Sequence, residues 1–288
     1  MGVVGYLNNK KIQMLTKKTK DIIDSSLQLP IGGRLYDRRQ VICTMTTIPA
    51  RLPVLHNSIL SIMHQSVKPH KIVIYLGKEL FEGVKLPEQL LQLQEAGVEF
   101  RYVKDLRVHT KYYYALQEFN DSLVMTFDDD VMYHPDVLKE LLKKHEKYPN
   151  CVITGRAHEI LSKNNGSFEK YDNWKWDVHP KKPSHLLFVT GVGGALYDPR
   201  LFTYKDTFNS GLFLRLTPNN DDLWLKCVEF MSGIPIATIY QNKWYVNVEN
   251  SQEVSLRSKN VHENRNDTYW TDLTDYFHIS YKDLKVGS

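Results

Sequence analysis

Three consecutive carboxylates, Asp128, Asp129 and Asp130, are the residues of this 288-residue chain with the clearest chemistry. They follow directly on Leu123-Val124-Met125-Thr126-Phe127. That largely apolar run reads as a strand covered on both faces. Adjacent carboxylates repel, and desolvating them costs on the order of several kcal/mol unless a cation or hydrogen-bond donors compensate. In an open α/β sheet the ligand crevice lies outside the carboxyl ends of the strands. Asp128 and Asp130 therefore stand where a divalent cation and a phosphate would meet, and hard oxygen ligands suit Mg²⁺ or Mn²⁺. The bland alternative is a solvated acidic turn.

Other groups along the chain carry weaker signals. Thr46, Thr47, Pro49 and Arg51 close a first strand centred on Val41-Ile42-Cys43, and hydroxyls with a guanidinium suit a nucleotide or phosphate. Lys111 opens a helix, where the dipole disfavours a cation by a few tenths of a kcal/mol or so, a cost that a nearby anion would offset. Gly191, Gly193 and Gly194 let the backbone turn sharply or approach a ligand, although their spacing fits neither a Walker loop nor a dinucleotide fingerprint. Asp221 and Asp222 begin a helix, a position that capping and the dipole alone would favour. Trp174 and Trp176 lie in an aperiodic stretch, 156–185, of the kind that forms lids or binding loops. Their indole faces suit sugar rings; the alternative is a surface hairpin with its aromatics folded inward.

The elements that must position these residues alternate in type. Strands are expected over 39–47, 72–76, 98–102, 123–127, 151–155, 186–190 and 234–240. Helices are expected from Leu52, over 87–95, 112–119 and 137–145, and from Asn220 or Asp221 to Gly233 with Leu225, Val228 and Met231 inward. This order predicts an α/β fold with a mostly parallel central sheet flanked by helices. Residues 1–34 stand apart as a basic amphipathic helical segment, with Lys10, Lys11, Lys17, Lys18 and Lys20 among apolar residues. It either lies on an anionic membrane surface or packs on the domain with its lysines solvated. Residues 35–240 form the main domain, with a nucleotide-binding half at about 35–130 and an acceptor half at about 131–240. Residues 241–288 are expected to be an irregular tail that closes over the site.

Composition narrows the function classes. A net charge of +4, without a long basic tract, gives no footprint for nucleic acid. Three scattered cysteines argue against a disulfide framework or a zinc site and suit a reducing cytoplasm. No apolar run approaches the ~20 residues that span a bilayer.

Taken in order, these motifs resemble a nucleotide-sugar-dependent glycosyltransferase of the GT-A (Rossmann-like) fold, near the family-2-like group of bacterial polysaccharide enzymes. The resemblance covers about residues 39–240. It implies that Asp128 and Asp130 form a DxD motif holding Mn²⁺ or Mg²⁺, with Asp129 beside the sugar nucleotide. It further implies that Thr46, Thr47, Pro49, Arg51 and Lys111 contact the nucleotide sugar, and that Gly193 and Gly194 line donor and acceptor sugars. Asp222, with Asp221 beside it, matches the acidic pair that supplies the base in inverting members. His262 and His278 are both candidates for a further metal ligand from the tail, and Trp174 and Trp176 are candidates for the acceptor site. Gly77-Lys78 departs from the acidic residues often found after the second strand. The Gln-x-x-Arg-Trp of processive synthases is missing, so a single addition is expected.

The implied activity is inverting, metal-dependent transfer from a UDP-sugar (galactose, galactofuranose, glucose or N-acetylhexosamine type) to a hydroxyl of a growing surface glycan such as O-antigen or capsule. The acceptor would be an oligosaccharide or a lipid-linked glycan. The implied location is cytoplasmic, with peripheral contact at the inner face of the cell membrane through the N-terminal helix. Two other readings use the same residues. One is a metal-dependent nucleotidyltransferase or phosphohydrolase; the other is a non-catalytic carbohydrate-binding module built on the tryptophans.

Overall fold

The computed structural model describes residues 39–239, 245–248 and 265–286. The basic segment 1–34 and His262 lie outside the described residues. A seven-stranded sheet forms the centre. Its strands are β1 (Val41–Thr46), β2 (Lys71–Gly77), β3 (Glu99–Val103), β4 (Leu123–Thr126), β6 (Val152–Thr154), β9 (Ala195–Tyr197) and β10 (Ile236–Thr238), in the spatial order β10-β6-β9-β4-β1-β2-β3. All neighbouring pairs are parallel except those of β9, which runs antiparallel to both β4 and β6. The fold is therefore α/β with a mixed, mostly parallel sheet, flanked by helices.

Strand alternation sorts the core onto two faces. Val41, Cys43, Met45, Ile72, Ile74, Leu123 and Met125 face one side. They meet α1 (Leu52–Met63), α3 (Glu88–Glu95) and α5 (Val137–Lys147), and the short α2 (Lys78–Phe81) adds Phe81. Ile42, Val73, Val124, Val152 and Tyr197 face the other. There they meet α4 (Thr110–Glu118), α6 (Ser210–Leu216), α7 (Asp221–Met231) and α8 (Arg265–Phe277), with Leu284 of α9 (Tyr281–Val286). The helix expected from Asn220 is α7, and Asn220 caps it by accepting from the Leu223 N–H. Met231 is exposed rather than inward; Leu223, Trp224, Cys227 and Val228 form the buried face.

Two expectations need correction. The run 186–190 does not enter the main sheet: β8 (Leu187–Val189) pairs only with β7 (Ala157–Glu159) in a separate ribbon. The main-sheet strand of this region is β9, immediately after the glycines. The tail is not irregular over 265–286, where Trp270, Leu273 and Phe277 seat α8 in the core against α7. Its segment β11 (Tyr245–Asn247) pairs with β5 (Val131–Tyr133), and the Val248 N–H donates to the Asp130 carbonyl at 2.8 Å. Among the described residues no helix is long and apolar enough to cross a membrane.

Candidate active site

The site forms where β4, the glycine turn before β9 and the first turns of α4 and α7 meet. β1, β4 and β6 all run parallel, so their carboxyl ends open on one edge of the sheet.

The three acids separate by role. Asp129 turns inward and is 5% exposed. Its Oδ2 accepts from Thr47 Oγ1 at 2.6 Å, and its Oδ1 is ion-paired to Arg51 Nη1. Burial pushes its carboxyl above the usual range, and the Arg51 charge and the Thr47 hydroxyl oppose that. Asp129 is therefore removed from the set that faces a ligand. An acid carried inward by a strand end needs internal donors, and Thr47 and Arg51 supply them. Arg51 Nη2 also lies 3.2 Å from Asp130 Oδ2. Thr46 Oγ1 donates to the Tyr75 carbonyl at 2.9 Å, and Pro49 starts the single 3₁₀ turn that delivers Arg51. The loop expected to cradle a nucleotide thus spends much of its polarity on holding the acids.

Asp128 and Asp130 are less enclosed than Asp129, with side chains 26% and 17% exposed against 7%. The Asp128 N–H donates to Tyr133 Oη at 2.9 Å, which fixes the turn. The Asp130 carboxyl is pushed up to about 6, first by burial and then by the Asp128 charge. Lys111 is 9% exposed, and its Nζ lies 3.1 Å from Asp128 Oδ1 and 2.9 Å from Asp221 Oδ2. Thr44 Oγ1 donates to the Lys111 carbonyl at 3.0 Å and ties that first turn of α4 to β1. These carboxylates hold the Lys111 ammonium well above its ordinary pKa against the opposing effect of burial. They are the anions that a lysine at a helix start requires.

Asp222 completes the cluster. Its Oδ2 accepts from the Gly191 N–H at 3.0 Å. Burial, then the Asp221 charge, pushes its carboxyl up to about 7, with Lys111 acting the other way. A Cβ on Gly191 would lie 3.0 Å from Lys111 Nζ, 3.1 Å from Asp222 Oδ1 and 3.7 Å from Asp128 Oδ1. Gly191 thus leaves a cradle where one ammonium and two carboxylates converge. Gly194 takes φ +77, and a Cβ there would lie 2.9 Å from Met125 Cε. On Gly193 it would lie 2.6 Å from the Arg156 backbone N and Cβ. Gly193 and Gly194 are required by close packing, and Gly191 is the glycine that faces the charged side chains.

The donor set suits a hard cation. Asp222 Oδ1 and Asp128 Oδ1 converge on the cradle beside Lys111 Nζ, and Asp130, its carboxyl raised by burial and by the Asp128 charge, is an acid whose ionised form a cation would favour. Among the described residues no group of three or more His, Cys, Asp or Glu has the arrangement of a metal cage. A Mg²⁺-type site would need only one or two of these carboxylates, with water and substrate phosphates completing the shell. His278 does not join Asp128 and Asp130 in such a group. It is exposed and takes φ +54 just past the last residue of α8, so it serves the helix end.

The tryptophans also divide. Trp174 is 2% exposed, packs edge-on against Phe188 and Trp270, and donates Nε1–H to the Glu169 carbonyl at 3.2 Å. A ring enclosed in this way has no face for a sugar. Trp176 is half-buried and stacks on His158 at 4.7 Å, with the Arg156 guanidinium 5.9 Å from its ring centre.

Sequence reasoning did not single out His109. It is fully buried, its Nε2–H donates to the Thr217 carbonyl at 2.7 Å, and its Nδ1 accepts from Tyr112 Oη at 3.1 Å. It stacks on Phe213 at 4.2 Å. It lies two residues before Lys111, and Thr217 lies four before Asp221, so one imidazole joins the two helix starts that bear the site.

No family model matches the chain, and no curated protein matches it in sequence. The solved structure of the inositol-1-phosphate CTP transferase from T. maritima is similar over 84% of this chain and 98% of its own, at 12% identity and a TM-score of 0.42. That likeness is distant, and the reading of the site rests on its own geometry.

Proposed function

We propose that this chain is a metal-dependent transferase acting on a nucleotide-activated substrate. Within that class we read it as a non-processive, inverting glycosyltransferase that moves a hexose-type sugar from a UDP-sugar to a hydroxyl of a glycan. The observation that carries the reading is the Gly191 cradle, where Lys111 Nζ, Asp222 Oδ1 and Asp128 Oδ1 converge at the carboxyl edge of the sheet.

Each residue has work in such a reaction. Asp222 sits with a carboxyl near 7 and takes the proton of the attacking hydroxyl, the role that a raised carboxylate performs near neutral pH. The Gly191 N–H orients that carboxylate. Lys111 stays protonated and offsets negative charge as the bond to the leaving group breaks. Asp128 and Asp130 would hold Mn²⁺ or Mg²⁺, which when bound supplies Lewis-acid stabilisation of a diphosphate. One base and a direct displacement invert the reacting carbon.

A second reading, nucleotidyl transfer, makes equal use of Lys111. An ammonium clamped between two carboxylates serves attack at phosphorus as readily as attack at an anomeric carbon. The binding-module reading loses its main platform with the burial of Trp174. Phosphorus NMR separates the two enzyme readings. With Mn²⁺ and a UDP-sugar plus a glycoside acceptor, the first expects UDP. With CTP or UTP plus a sugar phosphate, the second expects pyrophosphate. Neither product in either mixture would contradict both.

A further inference from the structure

The glycine turn has two ends, and only one faces the acids. Gly191 lies against Lys111, Asp222 and Asp128, whereas Gly193 lies against Arg156. Gly155 and Gly193 touch so closely that a Cβ on Gly155 would stand 2.2 Å from the Gly193 carbonyl oxygen. Arg156 follows the carboxyl end of β6, so it shares the sheet edge that carries Asp128 and Asp130, two strands further from β1.

The Arg156 side chain is 16% exposed and is held from one side. Its Nε donates to Asp177 Oδ1 at 2.5 Å, and its Nη1 reaches Thr190 Oγ1 only at 3.5 Å. Among the described residues its Nη2 has no hydrogen-bond acceptor. Trp176 stacks on His158 and backs the guanidinium. Asp177 takes φ +54, which an L-residue rarely adopts, and its N–H donates to His158 Nδ1 at 3.2 Å. Asp tolerates this conformation better than most L-residues, and the His158 contact holds it here. Here the held residue fixes the Nε side of a guanidinium and leaves the Nη edge, the fork that pairs with carboxylate or phosphate, open.

We infer that Arg156, braced by Asp177 and Trp176, binds an acidic group of the acceptor substrate. The inference rests on the transferase reading, which puts the nucleotide on the β1 side of the acids; the molecule beyond them, on the β6 side, is then the acceptor. The ligand class is a carboxylated or phosphorylated sugar, as opposed to a neutral one.

The test is binding, measured by NMR titration of the full-length protein with UDP and Mn²⁺ present. The probes are methyl glucuronide for the carboxylate arm, glucose 6-phosphate for the phosphate arm and methyl glucoside as the neutral ligand. The wild type should prefer at least one acidic probe over the neutral one by about tenfold, the ratio one charge-assisted hydrogen bond supports. Arg156→Gln should erase that preference while UDP and Mn²⁺ still bind. Asp177→Asn should reduce the preference and would carry the test if Arg156→Gln failed to fold. Equal binding of all three probes by the wild type, or a preference that survives Arg156→Gln, would overturn the inference. A parallel loss of acidic and neutral probes in Arg156→Gln would also overturn it, because that marks a structural brace. Loss of UDP binding in the wild type would instead strike the transferase reading.

Discussion

Asp129 and Asp128 are neighbours in sequence, yet the structure gives them opposite work. Asp129 is an internal brace for Thr47 and Arg51, while Asp128 faces the cradle. Removing one partner of a buried ion pair strands the other. Asp129→Ala should therefore cost about 3 kcal/mol of stability by chemical denaturation, and Asp128→Ala less, because Asp221 still pairs with the Lys111 ammonium and one source of repulsion is gone. Equal losses would contradict this division. Asp222→Asn should leave UDP binding intact and lower transfer by about a hundredfold or more, the scale of a lost general base. Retained transfer would remove Asp222 as the base. Gly191→Ala should fold, because its Cβ would meet side-chain ends, Lys111 Nζ at 3.0 Å and Asp222 Oδ1 at 3.1 Å, rather than backbone, but it should lose metal-dependent nucleotide binding.

The three carboxylates stand out in the sequence because an apolar run that ends in acids needs donors or a cation, but only packing shows that Asp129 turns inward to Thr47 and Arg51. The place of Gly191 is not readable: glycine spacing alone cannot tell which of several glycines meets charged side chains and which meets backbone. Trp174 and Trp176 were indistinguishable by type, and only packing shows that Trp174 is enclosed.

At the scale of elements, the site depends on how α4 and α7 are held relative to β4. His109 joins them through Thr217, and burial, the largest influence on it, pushes its imidazole down to about 4, with Asp221 opposing. A histidine that stays neutral when folded and protonates near 6.5 when unfolded adds stability that is present above that value. The stability is lost as pH falls from about 6.5 toward 4, by about 1.4 kcal/mol per pH unit within the window. His109→Asn should flatten this part of the pH–stability profile relative to the wild type. An unchanged slope would show that His109 titrates alike in both states. The α/β alternation was readable because buried strands and amphipathic helices have distinct periods. The three-residue β9 was hidden by the glycines before it. The helices of 265–286 were overlooked because polar and aromatic residues dominate them, although Trp270, Leu273 and Phe277 keep a helical spacing.

For the whole molecule, the sheet edge orders the site from the β1 loop, across the acids and the glycine turn, to Arg156 at β6. The segment 245–248 joins this edge by pairing with β5 directly after Asp130. The basic residues of 1–34 carry a separate proposal, a peripheral contact with an anionic membrane that would present a lipid-linked acceptor. Removing residues 1–24 should lower binding to anionic vesicles and leave transfer to a soluble acceptor unchanged. Equal vesicle binding would end that proposal.

The central claim is a metal-dependent nucleotide site at Asp128, Asp130 and the Gly191 cradle. Thermal unfolding with UDP, GDP, CMP and UDP-sugars, each with Mn²⁺ or EDTA, tests it most directly on the wild type and Asp130→Ala. A ligand at a hundred times its dissociation constant stabilises by about 2.7 kcal/mol, a shift of several degrees or so in a chain of this length. The account predicts a Mn²⁺-dependent shift with at least one nucleotide, abolished by EDTA and by Asp130→Ala. No shift with any nucleotide, or one indifferent to both Mn²⁺ and Asp130, would contradict it.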